Sequence, residues 1–140
     1  MGLIFFMSTD AGSAAHTSRV LEPLLRWLNP QISQAAIEQA HFVVRKCGHL
    51  SEYAVLAILC WRALMHFRAG PPDGNAALRN AVIALVVSIL YAATDEFHQS
   101  FIPSRGPSAR DVMIDSCGAF IGLSLLMILR GWRIRLARQP

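Results

Sequence analysis

The chain has 140 residues, 54% of them apolar and 16% charged. Soluble domains average about 45–50% apolar with glycine counted and about 25% charged. The mean hydropathy of +0.39 therefore excludes a disordered chain and leaves a compact helical domain or a small membrane protein. The length fits one domain, read here over residues 1–140, and three cysteines without metal-type spacing exclude a disulfide scaffold or zinc ribbon. The net charge is +4, and twelve of the thirteen basic residues are arginine. No basic stripe with interleaved aromatics accompanies that charge, so nucleic acid is not an expected partner.

In chain order, residues 2–7 are apolar and are followed at once by Ser8, Thr9 and Asp10. This run is too short to span a bilayer and lacks the basic start of a signal peptide. It reads as the last third of a helix whose beginning is missing or very short. Residues 17–28 place Leu21, Leu24, Leu25 and Leu28 on one face and Arg19, Glu22 and Arg26 on another. Asn29-Pro30 ends that helix, and residues 33–44 read as a second amphipathic one. The amphipathic segment 17–46 either lies in the membrane interface or caps a bundle.

Three longer apolar segments follow, about 47–65, 76–98 and 111–129. A transmembrane helix needs about 20 predominantly apolar residues, and each segment is too apolar all round for a soluble amphipathic helix. The connectors carry breakers: Gly70, Pro71, Pro72, Asp73 and Gly74 in one, Pro103, Gly106 and Pro107 in the other. The predicted fold is all-α, a polytopic membrane bundle with three clear spans, a truncated first span and short amphipathic helices between. Loop charge does not orient it, with six basic residues on each side. The tail arginines Arg130, Arg133, Arg135 and Arg138 have no acidic neighbours, which favours a cytoplasmic tail.

Ionisable residues within spans cost roughly 2.5–3.5 kcal/mol each on insertion scales, so they are usually paired or functional. Arg45, His49, Glu52 and Tyr53 share one helical face by their spacing. Ser88, Tyr91, Asp95 and His98 share another, flanked by Glu96 and Gln99, and Asp111, Asp115, Gly118 and Gly122 a third. All three faces are expected at one membrane side, that of the loop carrying Arg105. His49 with Glu52, Asp95 with His98, and Asp111 with Asp115 have the spacing of paired ligands, so a divalent metal such as zinc or manganese is one reading. A metal-free polar pocket is another. The third is a structural network in which Arg45, Lys46 and Arg105 neutralise Glu52, Asp95, Glu96 and Asp111.

A second functional reading needs no metal. Arg45, Lys46, Arg105 and Arg110 can hold a phosphate headgroup, assisted by Tyr53 and Gln99. His49 or His98 can then act as acid or base with Glu52 and Asp95, with Glu96, Asp111 and Asp115 in support. Gly118 and Gly122 form a small-xxx-small contact, within the bundle or across a homodimer. Cys60 reads as core filler and Cys47 and Cys117 as buried thiols. Trp27, Trp61 and Trp132 are candidate interfacial anchors.

The run Arg45-Lys46-Cys47-Gly48-His49-Leu50-Ser51-Glu52-Tyr53 resembles the RK-x-x-H-x-x-EY signature of the VanZ-like family of small bacterial membrane proteins. Asp95-Glu96-Phe97-His98-Gln99-Ser100-Phe101, then Pro103 and Arg105, resembles its DE-x-HQ-x-F-x-P-x-R segment. Asp111, Gly118 and Gly122 fall at the family's spacing, and Ser8 with residues 13–18 resembles its serine-rich loop. The resemblance implies a four-span bundle in the bacterial cytoplasmic membrane, with cytoplasmic termini and the motif side outward. The family takes its name from an accessory factor in glycopeptide (teicoplanin) resistance, so a cell-envelope role is implied, with an anionic, phosphorylated envelope lipid or precursor as partner. It brings no established reaction. An enzyme of this kind would be an acid/base or metal-assisted envelope-lipid hydrolase or transferase, and a binding, shielding or purely structural protein is the alternative. Asp115 stands where the family usually has asparagine, which adds a carboxylate to an acidic region.

Overall fold

A computed structural model describes residues 10–67, 74–101 and 108–137. Among these residues the structure is entirely helical: α1 (Asp10–Leu28), α2 (Gln34–His66), α3 (Gly74–Gln99) and α4 (Ala109–Leu136). The expected partial span at 2–7 lies outside the described residues. The chain divides into two compact units, Met1–His49 and Leu50–Pro140.

In the first unit α1 begins earlier than the amphipathic pattern suggests, so the serine-bearing stretch 13–18 is helical rather than a loop. Leu21 and Leu25 are half-buried while Leu24 and Leu28 are exposed. An exposed i,i+4 ion pair, Arg26 to Glu22 at 3.0 Å, supports the last turns. The break falls where Asn29-Pro30 puts it. The Asn29 side-chain oxygen accepts from the Gln31 N–H at 3.1 Å, an Asx-type turn. Ser33 then caps α2, its hydroxyl oxygen accepting from the Ala36 N–H at 3.3 Å.

The predicted amphipathic helix over 33–44 and the predicted span over 47–65 are one continuous helix of 33 residues. Nothing between them stops a helix. No proline intervenes, and Gly48 alone costs only about 1 kcal/mol relative to alanine.

The second unit packs the rest of α2 with α3 and α4. The Trp61 indole N–H donates to the Ala77 carbonyl at 3.0 Å, and the Tyr53 and Tyr91 rings lie 6.3 Å apart. These two pairs run in opposite senses along the chain, so α3 is antiparallel to α2. Gly118 lies against the backbone of Leu50 and Gly122 against Ala54, so α4 is parallel to α2. A Cβ on Gly118 would run into the Leu50 carbonyl, and one on Gly122 would meet Ala54 backbone at 2.8 Å. The small-xxx-small motif is thus occupied by a contact within the chain.

The core at this crossing is Ala57, Trp61, Ala77, Ala81, Ala84, Ala119 and Leu123, with Cys60 and Leu64 packed against it. Its residues are mostly small, while large apolar side chains face outward, among them Leu59 (55% exposed), Leu90 (61%) and Phe120 (60%). Small inside and large outside is the arrangement of helices that associate in lipid, where close backbone approach replaces the hydrophobic effect as the driving term.

Among the described residues two helices are long and apolar enough to cross a membrane, α3 over Asn75–Gln99 and α4 over Ala109–Leu136. Three clear spans were expected, and the structure provides two candidates. In α2 the apolar run is interrupted by His49, Glu52 and Arg62. Trp61 is also reassigned: it is a core residue with its N–H satisfied, whereas Trp27 and Trp132 are exposed. Cys47 and Cys117, expected as buried thiols, are exposed, and Cys60 is half-buried.

Candidate functional site

The buried polar residues of the second unit are unevenly distributed. Asp95, Glu96 and Gln99 are buried at the C-terminal end of α3, and Asp115 is buried two turns into α4. Glu52 is half-buried and Tyr53 wholly buried on α2. Because α2 and α4 are parallel and α3 antiparallel to them, all of these lie toward one end of the unit.

The Gln99 side-chain N–H donates to Asp95 Oδ2 at 2.9 Å, one turn along α3. The Glu96 carboxylate accepts from the Ser108 backbone N–H at 2.8 Å and so fastens the end of α3 to the residue before α4. Ser108 is the N-cap of α4, with extended backbone, but its hydroxyl makes no cap hydrogen bond. It lies 3.4 Å from Asp111 Oδ1 instead. Asp111 in the first helical turn complements the positive end of the helix dipole. Sequence reasoning did not single out Ser108, although a serine two residues before Arg110 at a helix start is a capping signal.

Tyr53 is the centre of the arrangement. Its ring is fully buried and tilted against Tyr91. The charges of Asp115, Asp95 and Glu52 all act on its hydroxyl, which has no hydrogen-bond partner. Glu52 lies within electrostatic range of Asp95. The structure therefore brings together Glu52 and Tyr53 from α2, Tyr91 and Asp95 from α3, and Asp115 from α4.

The other predicted site residues stand differently. His98 and Arg110 are exposed, and Ser88 is buried with its hydroxyl donating to the Ala84 carbonyl at 2.8 Å. In the first unit Arg45 is exposed, His49 is half-buried, and Lys46 places its ammonium 5.3 Å from the Phe42 ring centre. Arg105 lies outside the described residues. Among the described residues no group of three or more His, Cys, Asp or Glu side chains is arranged to hold a metal ion. The divalent-metal reading does not fit this donor set.

A helical protein with large apolar side chains turned outward, two helices long enough to cross a bilayer and carboxylates gathered at one end belongs to the class of integral membrane proteins. The comparison with known families agrees: the VanZ/LLP1 family model matches residues 1–130, and the chain belongs to that family. Membership supports a role related, at family level, to teicoplanin resistance. No curated protein and no solved structure matches the chain.

Proposed function

We propose that the protein is a multi-pass protein of a bacterial cytoplasmic membrane that binds or acts on an anionic cell-envelope lipid or lipid precursor at the outward-facing polar end of its bundle. The observation that carries this reading is the burial of Asp95, Glu96, Gln99 and Asp115 at one end of helices whose remaining length is sheathed in large apolar side chains. In lipid such burial is costly and is retained for function. At about 1.5 Å per residue the 26 residues of α3 extend about 39 Å, beyond a hydrocarbon core of about 30 Å, so its acidic end falls at headgroup depth.

In this reading α2 between 47 and 65 is a third span, tolerated because Glu52 and Tyr53 face the helices and not the lipid. The tail arginines support the orientation: Arg133 and Arg135 occupy the last turn of α4, at the end opposite the carboxylates. Glu52, half-buried, meets the lipid headgroup, with the buried Tyr53 and Asp95 behind it. Arg45, Lys46, His49 and Arg105 enter on sequence grounds alone, as anion-binding residues and a proton carrier.

The experiment is native mass spectrometry of the full chain released gently from its own membrane, with His49→Ala and Asp95→Asn alongside. A phosphorylated lipid retained by the wild type and lost from the variants is the expected result. A bare wild-type protein overturns the reading. A second reading has its own observation: the Gln99–Asp95 and Ser108–Glu96 hydrogen bonds close within the chain, as a purely structural network would. In that case substitutions at Asp95 and Glu96 lower thermal stability and function in step.

A further inference from the structure

We infer that the end of the second unit opposite the carboxylates carries a lipid site of its own, in which Arg130 and Arg133 of α4 hold the phosphate of an acidic glycerophospholipid. This site uses other residues at the other end of the helices and stands independently of the lipid proposed for the polar end.

The inward stripe of α4 changes character along its length. Ala119 and Leu123 are buried in the core, and Leu126 packs against it. The next two positions at the same helical spacing are Arg130 and Arg133. Arg130 is half-buried, and its guanidinium carbon lies 5.6 Å from the centre of the Trp61 ring. That ring is fixed, since it is buried and its N–H donates to the Ala77 carbonyl at 3.0 Å. A second tie joins the same two helices, the Asn80 side-chain amide donating to the Met65 sulfur at 3.3 Å. A guanidinium with one face on an aromatic ring keeps its N–H donors in the plane, where they can meet a phosphate bidentately. Arg130 makes no hydrogen bond or ion pair among the described residues, and Arg133 is exposed. Arg62, next to Trp61 and exposed, adds a further positive charge at this level. Every carboxylate of the unit among the described residues lies at the other end, so a headgroup ammonium would find no partner here.

Depth and surroundings assign the phosphate to a lipid. Residues 112–129 of α4 rise about 27 Å, close to a hydrocarbon core of about 30 Å, so Arg130 stands where headgroup phosphates lie. Leu125, Ile128 and Leu129 are exposed on the turn just before it, a surface for acyl chains. Basic residues between helices at this depth favour lipids of net negative charge. Phosphatidylglycerol offers a phosphate alone, whereas phosphatidylcholine brings a cation that meets the arginines.

The test uses the full chain in detergent micelles with these two lipids, identical in their acyl chains, and reads their retention by native mass spectrometry. One basic residue beside the membrane surface is worth about fivefold in affinity for an anionic lipid. The expected result is therefore a preference of at least about tenfold for phosphatidylglycerol, lowered about fivefold by Arg130→Gln and by Arg133→Gln. Arg133 is exposed, so its variant keeps the test open where Arg130→Gln fails to fold. Inorganic phosphate in excess should leave the lipid in place, and displacement by phosphate overturns the assignment to a lipid. Equal retention of the two lipids by the wild type overturns the inference. So does a preference that survives both arginine substitutions and disappears in Asp95→Asn, which leaves the polar-end reading standing. A preference lost in the arginine variants supports the site whatever Asp95→Asn does.

Discussion

The two ends of the three-helix unit are built from the same helices and obey different rules. At the Trp61 end the interior is mostly alanine and leucine, and its buried polar groups are satisfied: the indole N–H donates to the Ala77 carbonyl and the Asn80 side-chain amide to the Met65 sulfur. At the Tyr53 end the interior holds carboxyl groups and a phenol whose hydroxyl has no hydrogen-bond partner. Helices pack closely at both ends, but a buried hydroxyl is left without a hydrogen-bond partner at the second. A fold that violates its own rules at one place usually does so where it works.

Substitutions can break this contrast or sharpen it. The largest effect belongs to the satisfied end. Trp61→Ala should destabilise by about 3–5 kcal/mol, read from unfolding in detergent, because it opens a cavity and discards the bond to Ala77. Gly118→Ala comes next, at about 1–3 kcal/mol, since its methyl meets the Leu50 backbone and not a side chain that can move away. If Gly118→Ala were neutral, the close approach of α4 to α2 would be wrong. At the polar end, where Gly118 also lies, Tyr53→Phe should leave stability unchanged or raise it by up to about 1 kcal/mol, because it removes a buried hydroxyl without a partner. Function should nevertheless fall at least tenfold. A Tyr53→Phe protein that is less stable and equally active would erase the contrast. The smallest effect is a control on α4 itself: Gly131 has open space around it, so Gly131→Ala should stabilise by about 0.5–1 kcal/mol.

Much of this was legible beforehand. Ionisable residues recurring at helical spacing in three segments announced a polar end, and the structure brings Glu52, Asp95 and Asp115 to one place around Tyr53. Spacing identifies a face but not what the face meets, so Trp61 could be read as an anchor as readily as a core residue. Gly118 and Gly122 likewise gave the kind of contact and not its partner. The fusion of 33–44 with 47–65 was missed because a change from amphipathic to apolar pattern marks a change of surroundings, and the backbone needs no break to pass through it. Ser108 was missed because its weight lies in a backbone N–H, which no side-chain pattern reports.

The alanine-lined interior has a thermodynamic consequence. Leu59, Leu90 and Phe120 already face outward in the folded state. If the helices separated while still in a bilayer or micelle, those residues would keep hydrocarbon around them, and the newly bared surface would be mostly methyl groups that lipid tails cover at once. The large heat-capacity increase that accompanies unfolding into water comes from hydrating apolar surface, and here little would be hydrated. Helix separation should therefore show a free energy close to linear in temperature, with no cold-denaturation limb.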